Sequence, residues 1–126
     1  MKTIIAGSRD ITNYAIVEEA VRASGISVST VVSGKQRGVD TLGERWAKAH
    51  GVEVAPYPAE WKAHGRAAGP IRNRQMADNA DALIAVWDGF SPGTKDMIDV
   101  AKRRGLTVYV HDARALSTHA GEEGKR

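Results

Sequence analysis

The chain contains no cysteine. That excludes a disulfide framework and any thiolate metal site. Long hydrophobic runs are missing too. The longest apolar stretches are a few residues, far below the about 20 that a membrane-spanning helix needs. Met1-Lys2 passes through "TIIA" straight into polar "GSRD", which leaves no apolar core for a signal peptide. A soluble, cytoplasmic protein with no membrane partner is the expectation. Two nucleotide signatures are also absent. Without G-x-x-x-x-G-K-[ST] a P-loop NTPase is disfavoured. Without G-x-G-x-x-G after the first strand, ordinary dinucleotide dehydrogenase chemistry is disfavoured as well. The four histidines are scattered without metal-ligand spacing, so no metal site is expected. No Ser-His-Asp set can be argued from this order, and no repeat or low-complexity block interrupts the chain.

What remains is an ordinary globular composition. The chain has 126 residues, 42% hydrophobic and 26% charged, the size of one domain with one core. Its net charge of +3 mildly favours anionic partners. Basic residues are spread along the chain with no run of five or more, so a nucleic-acid stripe is not required.

Strand and helix patterns alternate. "KTIIA" (Lys2 to Ala6) reads as a first strand; Tyr14, Val17 and Val21 follow at helical spacing, and Gly25 stops that helix. β-Branched "VSTVVS" (Val28 to Ser33) reads as a second strand. Asp40 or Thr41 is placed to cap a helix that carries Leu42 and Trp46 and ends at His50-Gly51. "VEVAPY" makes a third strand. Residues 59–69 show no convincing period. Pro70 suits the first position of a third helix, with Ile71, Met76 and Ala80 inward. "DALIAVW" is a fourth strand, a helix follows from about Thr94 to Arg104, and "LTVYV" is a fifth strand before a polar tail over 112–126, which is expected to fray. Such alternation with nearly continuous apolar strands predicts an α/β, Rossmann-like three-layer sandwich: a five-stranded parallel sheet of order 3-2-1-4-5 spanning 1–111.

In such sheets ligands bind beyond the carboxyl ends of the strands, where the order reverses. Here that is the gap between strands one and four. Strand one delivers Gly7-Ser8-Arg9, strand two Ser33-Gly34 and then Asp40, and strand four Asp88-Gly89 and Ser91-Pro92-Gly93-Thr94. Glycine admits close approach to the backbone, and a helix N-terminus offers unpaired N–H groups at the positive end of a dipole. Together they form an anion site, most often for phosphate. The stretch "VWDGFSPGTKDMID" therefore reads as a phosphate cradle at the head of a helix. "GPIRNRQM" adds Arg72, Asn73 and Arg74; two residues apart on a helix, the arginines face different ways, so at most one belongs to the site. A guanidinium there suits bidentate phosphate contact. Trp61 and Trp87 are candidates to stack a base, whereas Trp46 reads as core. Any one of these turns is equally the ordinary punctuation of an α/β chain; it is their number at one sheet edge that points to a ligand.

The blocks "IIAGSRDI", "VVSGKQRGVDTLGERWAKAHG" and "YPAEWKAHGRAAGPIRNRQMADNADALIAVWDGFSPGTKDMIDVAKRRG" resemble the YspA-type, cpYpsA-related SLOG domain family, over roughly Met1 to Val110. The family occurs in phage and bacterial genomes. The resemblance implies a Rossmann-like domain that binds nucleotides or nucleotide-derived ligands, in some cases as a sensor, related to the lonely-guy phosphoribohydrolases and to the DNA-processing DprA proteins. The phosphoribohydrolase motif P-G-G-x-G-T-x-x-E is similar to "GFSPGTKDM": Gly93 and Thr94 match its Gly-Thr, but its Glu falls on Met97. Their essential Arg, four residues before a Met, corresponds to Arg72 before Met76.

The expectation is then a nucleotide-binding domain without cofactor or metal. Backbone groups of Gly7, Ser8, Gly93 and Thr94 hold phosphate, together with the Ser8 and Thr94 hydroxyls. Arg9 and Arg72 neutralise it, Asp88 holds ribose hydroxyls, and Ser33, Gly34 and Asp40 close the second side; Asn73 and Ser91 complete the set. Residues 59–69 form a lid that brings Trp61 or Arg66 over the ligand. The first alternative is a nucleoside 5′-monophosphate N-glycosidase with Arg72 and Asp88 as its catalytic pair, and the second is a DNA or protein interaction module, with nucleic acid the less favoured partner. The relatives imply a homodimer.

Overall fold

In the computed structural model, described over residues 1–113, five strands line up in the order β3-β2-β1-β4-β5, every neighbouring pair parallel. The central strands are β1 (Lys2–Gly7), β2 (Thr30–Ser33) and β4 (Ala82–Trp87). Their apolar runs are nearly continuous because both faces are covered. Adjacent residues go to opposite faces. Ile4, Val32 and Leu83 enter one core with Met76 and Met97, while Ile5, Val31 and Ile84 enter the other with Val17 and Val39. The edge strands β3 (Glu53–Pro56) and β5 (Thr107–Asp112) have no fully buried residue. Helices α1 (Tyr14–Ser24) and α2 (Val39–Ala49) cover one face; α4 (Ala68–Asp78) and α5 (Pro92–Arg103) cover the other. This is the expected Rossmann-like α/β sandwich. The order reverses between β1 and β4, where Gly7 pairs with Val86.

Local chemistry explains most element ends. Asn13 Oδ1 accepts from the Ala15 amide at 3.0 Å and starts α1; Gly25, at φ 69°, ends it with its N–H on Arg22 O. At α5, Pro92 takes the first helical position.

Two helix starts differ from expectation. Neither Asp40 nor Thr41 caps α2. The cap is Gly38, at φ 80°, and Asp40 lies buried inside the helix. A Cβ at Gly38 would stand 2.5 Å from the carbonyl oxygens of both Ser8 and Arg9. The loop passes that close so that the Val39 N–H can donate to Ser8 O at 3.3 Å. Helix α4 begins at Ala68, so Pro70 is its third residue and not its first. The third amide of a helix is also unpaired, so proline costs no hydrogen bond there. Before it, residues 59–69 hold a one-turn helix α3 (Trp61–His64) and a 3₁₀ turn (Gly65–Ala67). The inner face of α4 is Ala68, Arg72, Asn73, Met76 and Ala77; Ile71 and Ala80 are only half-buried.

Strand β5 reaches Asp112 and Ala113 is buried, so the first two residues of the expected tail pack with the domain. The remainder of that tail, 114–126, lies outside the described residues. No described helix is long and apolar enough to cross a membrane.

Candidate functional site

A cavity of about 460 Å³ opens beyond the carboxyl ends of β1 and β2, walled by the inner face of α4 and the head of α5. That volume is ordinary for a small-ligand site. Of the residues expected to bind ligand, Gly7, Arg9, Asp40, Arg72, Asn73, Ser91, Gly93 and Thr94 line it. Ser8, Ser33, Gly34 and Asp88 do not.

The head of α5 is the most informative wall. Ser91 occupies the cap position but makes no side-chain cap. Its hydroxyl instead lies 3.1 Å from Ser8 Oγ and donates to the Asp88 carboxylate at 3.1–3.2 Å. The Gly93 and Thr94 amides are left with no partner among the described residues, and both residues face the cavity. The Thr94 hydroxyl also has none, although the residue is 6% exposed. No atom stands within 4 Å of a Cβ position at Gly93.

Opposite stands α4. Arg72, 6% exposed, donates from Nη1 to Gly34 O at 2.5 Å and from Nε to Asn73 Oδ1 at 3.0 Å. Its Nη2 carries no hydrogen bond among the described residues, and Arg72 lines the cavity. Asn73 Nδ2 donates to Gly93 O at 3.3 Å and to Asp96 Oδ2 at 2.9 Å, tying α4 to the first turns of α5. Arg74, two residues on, is exposed away from the site.

The residues that do not reach the cavity have structural work. The Ser8 amide donates to Val86 O at 3.2 Å, so it is not available to a ligand. Ser33 Oγ donates to Glu44 Oε2 at 2.6 Å and accepts the Lys35 amide at 3.1 Å, shaping the turn after β2. At Gly34 a Cβ would come within 2.6 Å of Arg72 Nη1, so this glycine makes room for the arginine and not for a ligand. Asp88 Oδ1 accepts the amides of Phe90 and Ser91 at 2.8 and 2.9 Å. Asp88, expected to hold ribose and to pair with Arg72 in catalysis, does not line the cavity, and its carboxylate closes its own loop. Gly7 is small because a Cβ would overlap Val86 O and stand 2.7 Å from Val39 Cγ2.

The YAcAr family model, YspA, cpYpsA-related SLOG, matches residues 1–64. The chain belongs to that SLOG family. The "Gene 61 protein" of Mycobacterium phage D29 is 37% identical over 84 residues, covering 62% of this chain and 67% of its own. No solved structure matches. The family match contains the β1 and β2 ends of the cavity; α4 and α5 lie beyond it.

The electrostatics of the SLOG cavity are mixed. Arg9, Arg66 and Arg72 line it, and so do Asp10, Asp40 and Asp96. Asp10 pairs with Arg37 at 3.5 Å. Burial pushes the Asp40 carboxyl up to about 6, against the opposing pull of Arg72 and of the Gln36 amide. Burial lowers the Arg72 pKa, and Asp40 partly restores it. For Asp88, desolvation works upward, but the Phe90 and Ser91 amides and the Ser91 and Ser8 hydroxyls outweigh it and hold the carboxyl below its usual range.

Sequence reasoning singled out neither Asp96 nor Gln36 for the cavity. A signal for Asp96 existed, since it shares the first turns of α5 with Thr94, but the side chain that settles its position, Asn73, comes from another helix. Trp61 and Arg66 do line the cavity, with Trp61 54% exposed. Trp87 does not; its indole donates to Ser91 O at 3.1 Å and its ring packs on the core. Trp46 packs on the other core and stacks on His50.

Proposed function

We propose that this SLOG domain binds a nucleotide or nucleotide-derived ligand, with a phosphate at the head of α5. The observation that carries the reading is the pair of uncapped amides at Gly93 and Thr94, beside a threonine hydroxyl at the cavity wall without a partner among the described residues. A serine at the cap would ordinarily satisfy one of those amides. Here Ser91 is drawn away by Ser8 and Asp88, and the positive end of the helix faces open space. Arg72 supplies fixed charge, because Gly34 O and Asn73 hold two of its nitrogens. Arg9 and Arg66 add charge at the rim, and Trp61 offers an exposed ring to a base. Base stacking of that kind contributes about 1–3 kcal/mol.

Binding stands ahead of hydrolysis in this reading. Met97 lines the cavity where the phosphoribohydrolase motif carries its glutamate, and a thioether can neither hold ribose hydroxyls nor stabilise positive charge on a sugar. Thermal-shift titration with nucleoside 5′-monophosphates tests the proposal. Wild-type protein should be stabilised. Thr94→Glu, which sets a carboxylate against the amides, should fold but gain no stabilisation. Equal stabilisation of both proteins would remove phosphate from the head of α5.

A further inference from the structure

We infer that Asp96 reads the sugar of the ligand and selects ribonucleotides over 2′-deoxyribonucleotides. The inference rests on the phosphate site proposed above.

The cavity combines two demands that one ligand has to meet. The head of α5 presents donors: the Gly93 and Thr94 amides, with the hydroxyl of the buried residue Thr94 and the Arg72 guanidinium beside them. These call for an anion. The same wall, two residues past Thr94, carries a carboxylate that can only accept. Asp96 is no partner for the phosphate, since two anions repel. Nor is it paired with a cation: its one hydrogen bond among the described residues is the 2.9 Å contact from Asn73 Nδ2 to Oδ2. The remaining lone pairs belong to a half-buried group at the cavity wall and are open to donors from whatever enters. An acyl phosphate dianion brings none, and inorganic phosphate brings a donor only on the anion itself. A ribose 5-phosphate unit brings hydroxyl donors at a short, fixed reach from its phosphate.

Asn73 sets the position of that carboxylate. Its Oδ1 accepts from Arg72 Nε, which orients the amide, and its Nδ2 spans Gly93 O and Asp96 Oδ2. One asparagine thus holds the sugar-reading carboxylate in register with the phosphate-binding turn. Asp40, the buried carboxylate of the cavity, has no such link: it lies across on α2 and accepts the Gln36 amide at 3.3 Å.

The test is isothermal titration of wild-type protein, Asp96→Asn and Asp96→Ser with adenosine, guanosine, cytidine and uridine 5′-monophosphates and their 2′-deoxy counterparts. Wild type should prefer the ribonucleotide by roughly tenfold or more, the loss expected when a charged acceptor is left short of a donor. Asp96→Ser should bring the ratio close to one, and Asp96→Asn, which keeps one acceptor oxygen but loses the charge, should fall between it and wild type. A merely structural tether between α4 and α5 would lower the melting temperature and weaken both sugars alike, leaving the ratio as in wild type; that result overturns the inference. Equal binding of both sugars by wild type also overturns it while leaving the phosphate site standing. Absence of binding by any of the nucleotides removes both.

Discussion

Replacing Asp40 with asparagine should change how the stability of the protein depends on pH. Asp40 is 4% exposed inside α2, and its carboxyl titrates at about 6 instead of 3.8 because burial disfavours the charged form more than Arg72 and the Gln36 amide favour it. In the unfolded chain the same carboxyl titrates near its ordinary value, about 3.9. Between roughly pH 4 and pH 6 the folded state therefore keeps a proton that the unfolded state has released, and stability falls as pH rises through that window. Above it both states are ionised and the loss is complete. A shift of about two pK units amounts to a loss on the order of 3 kcal/mol. Urea unfolding of wild type and Asp40→Asn at steps from pH 4 to pH 7.5 measures it. Asparagine cannot ionise, and its altered hydrogen bonding with the Gln36 amide adds a constant offset. Carboxyls held low in both proteins, such as Asp88 and Asp99, cancel in the difference. The stability of wild type relative to the variant should decline by about that amount between pH 4 and 7 and then level. A flat difference would mean that burial does not control Asp40, and a rising one that Arg72 does.

Two further substitutions separate packing from ligand contact. Gly7→Ala forces a methyl group against Val86 O and Val39 and should cost about 3 kcal/mol in urea unfolding, whereas Gly93→Ala meets open space and should change stability by less than about 1 kcal/mol. Asp88→Ala strips the acceptor from the Phe90 and Ser91 amides and releases the Ser91 hydroxyl, so it should cost about 1–2 kcal/mol in urea unfolding and weaken nucleotide binding together with that loss. A large loss of affinity without loss of stability would return the ribose role to Asp88.

The sheet was legible because its signals are local and repeated. Apolar strands punctuated by glycine, with one crossover hand, leave few orders open, and the observed order is the expected one. Gly25 ends α1 as expected, while α5 starts at Pro92, two residues before the expected Thr94. The start of α4 was not legible, for a physical reason. Its inner face carries Arg72 and Asn73, which turn toward a cavity, so the helix lacks the apolar stripe that periodicity detects. Gly65 and Gly69 blur its approach further. The candidate site was legible as a place but not as a set of contacts. Asp88 and Asp96 are both acidic residues near a glycine-rich turn. Which of them faces the cavity depends on the amides of Phe90 and Ser91 claiming one and Asn73 holding the other. Those are tertiary bonds that residue type and spacing do not encode. In the same way Gly7 and Gly34 read as room for a ligand, and the room is taken by Val86, Val39 and Arg72.

The central claim is that the Gly93 and Thr94 amides receive a phosphate. Titrating isotope-labelled protein with a nucleoside 5′-monophosphate and following its amide resonances by NMR addresses it most directly. Gly93 and Thr94 should show the largest shifts, with Phe90, whose amide is held by Asp88, changing little. Saturating shifts centred on another surface, with Gly93 and Thr94 unmoved, would contradict the claim.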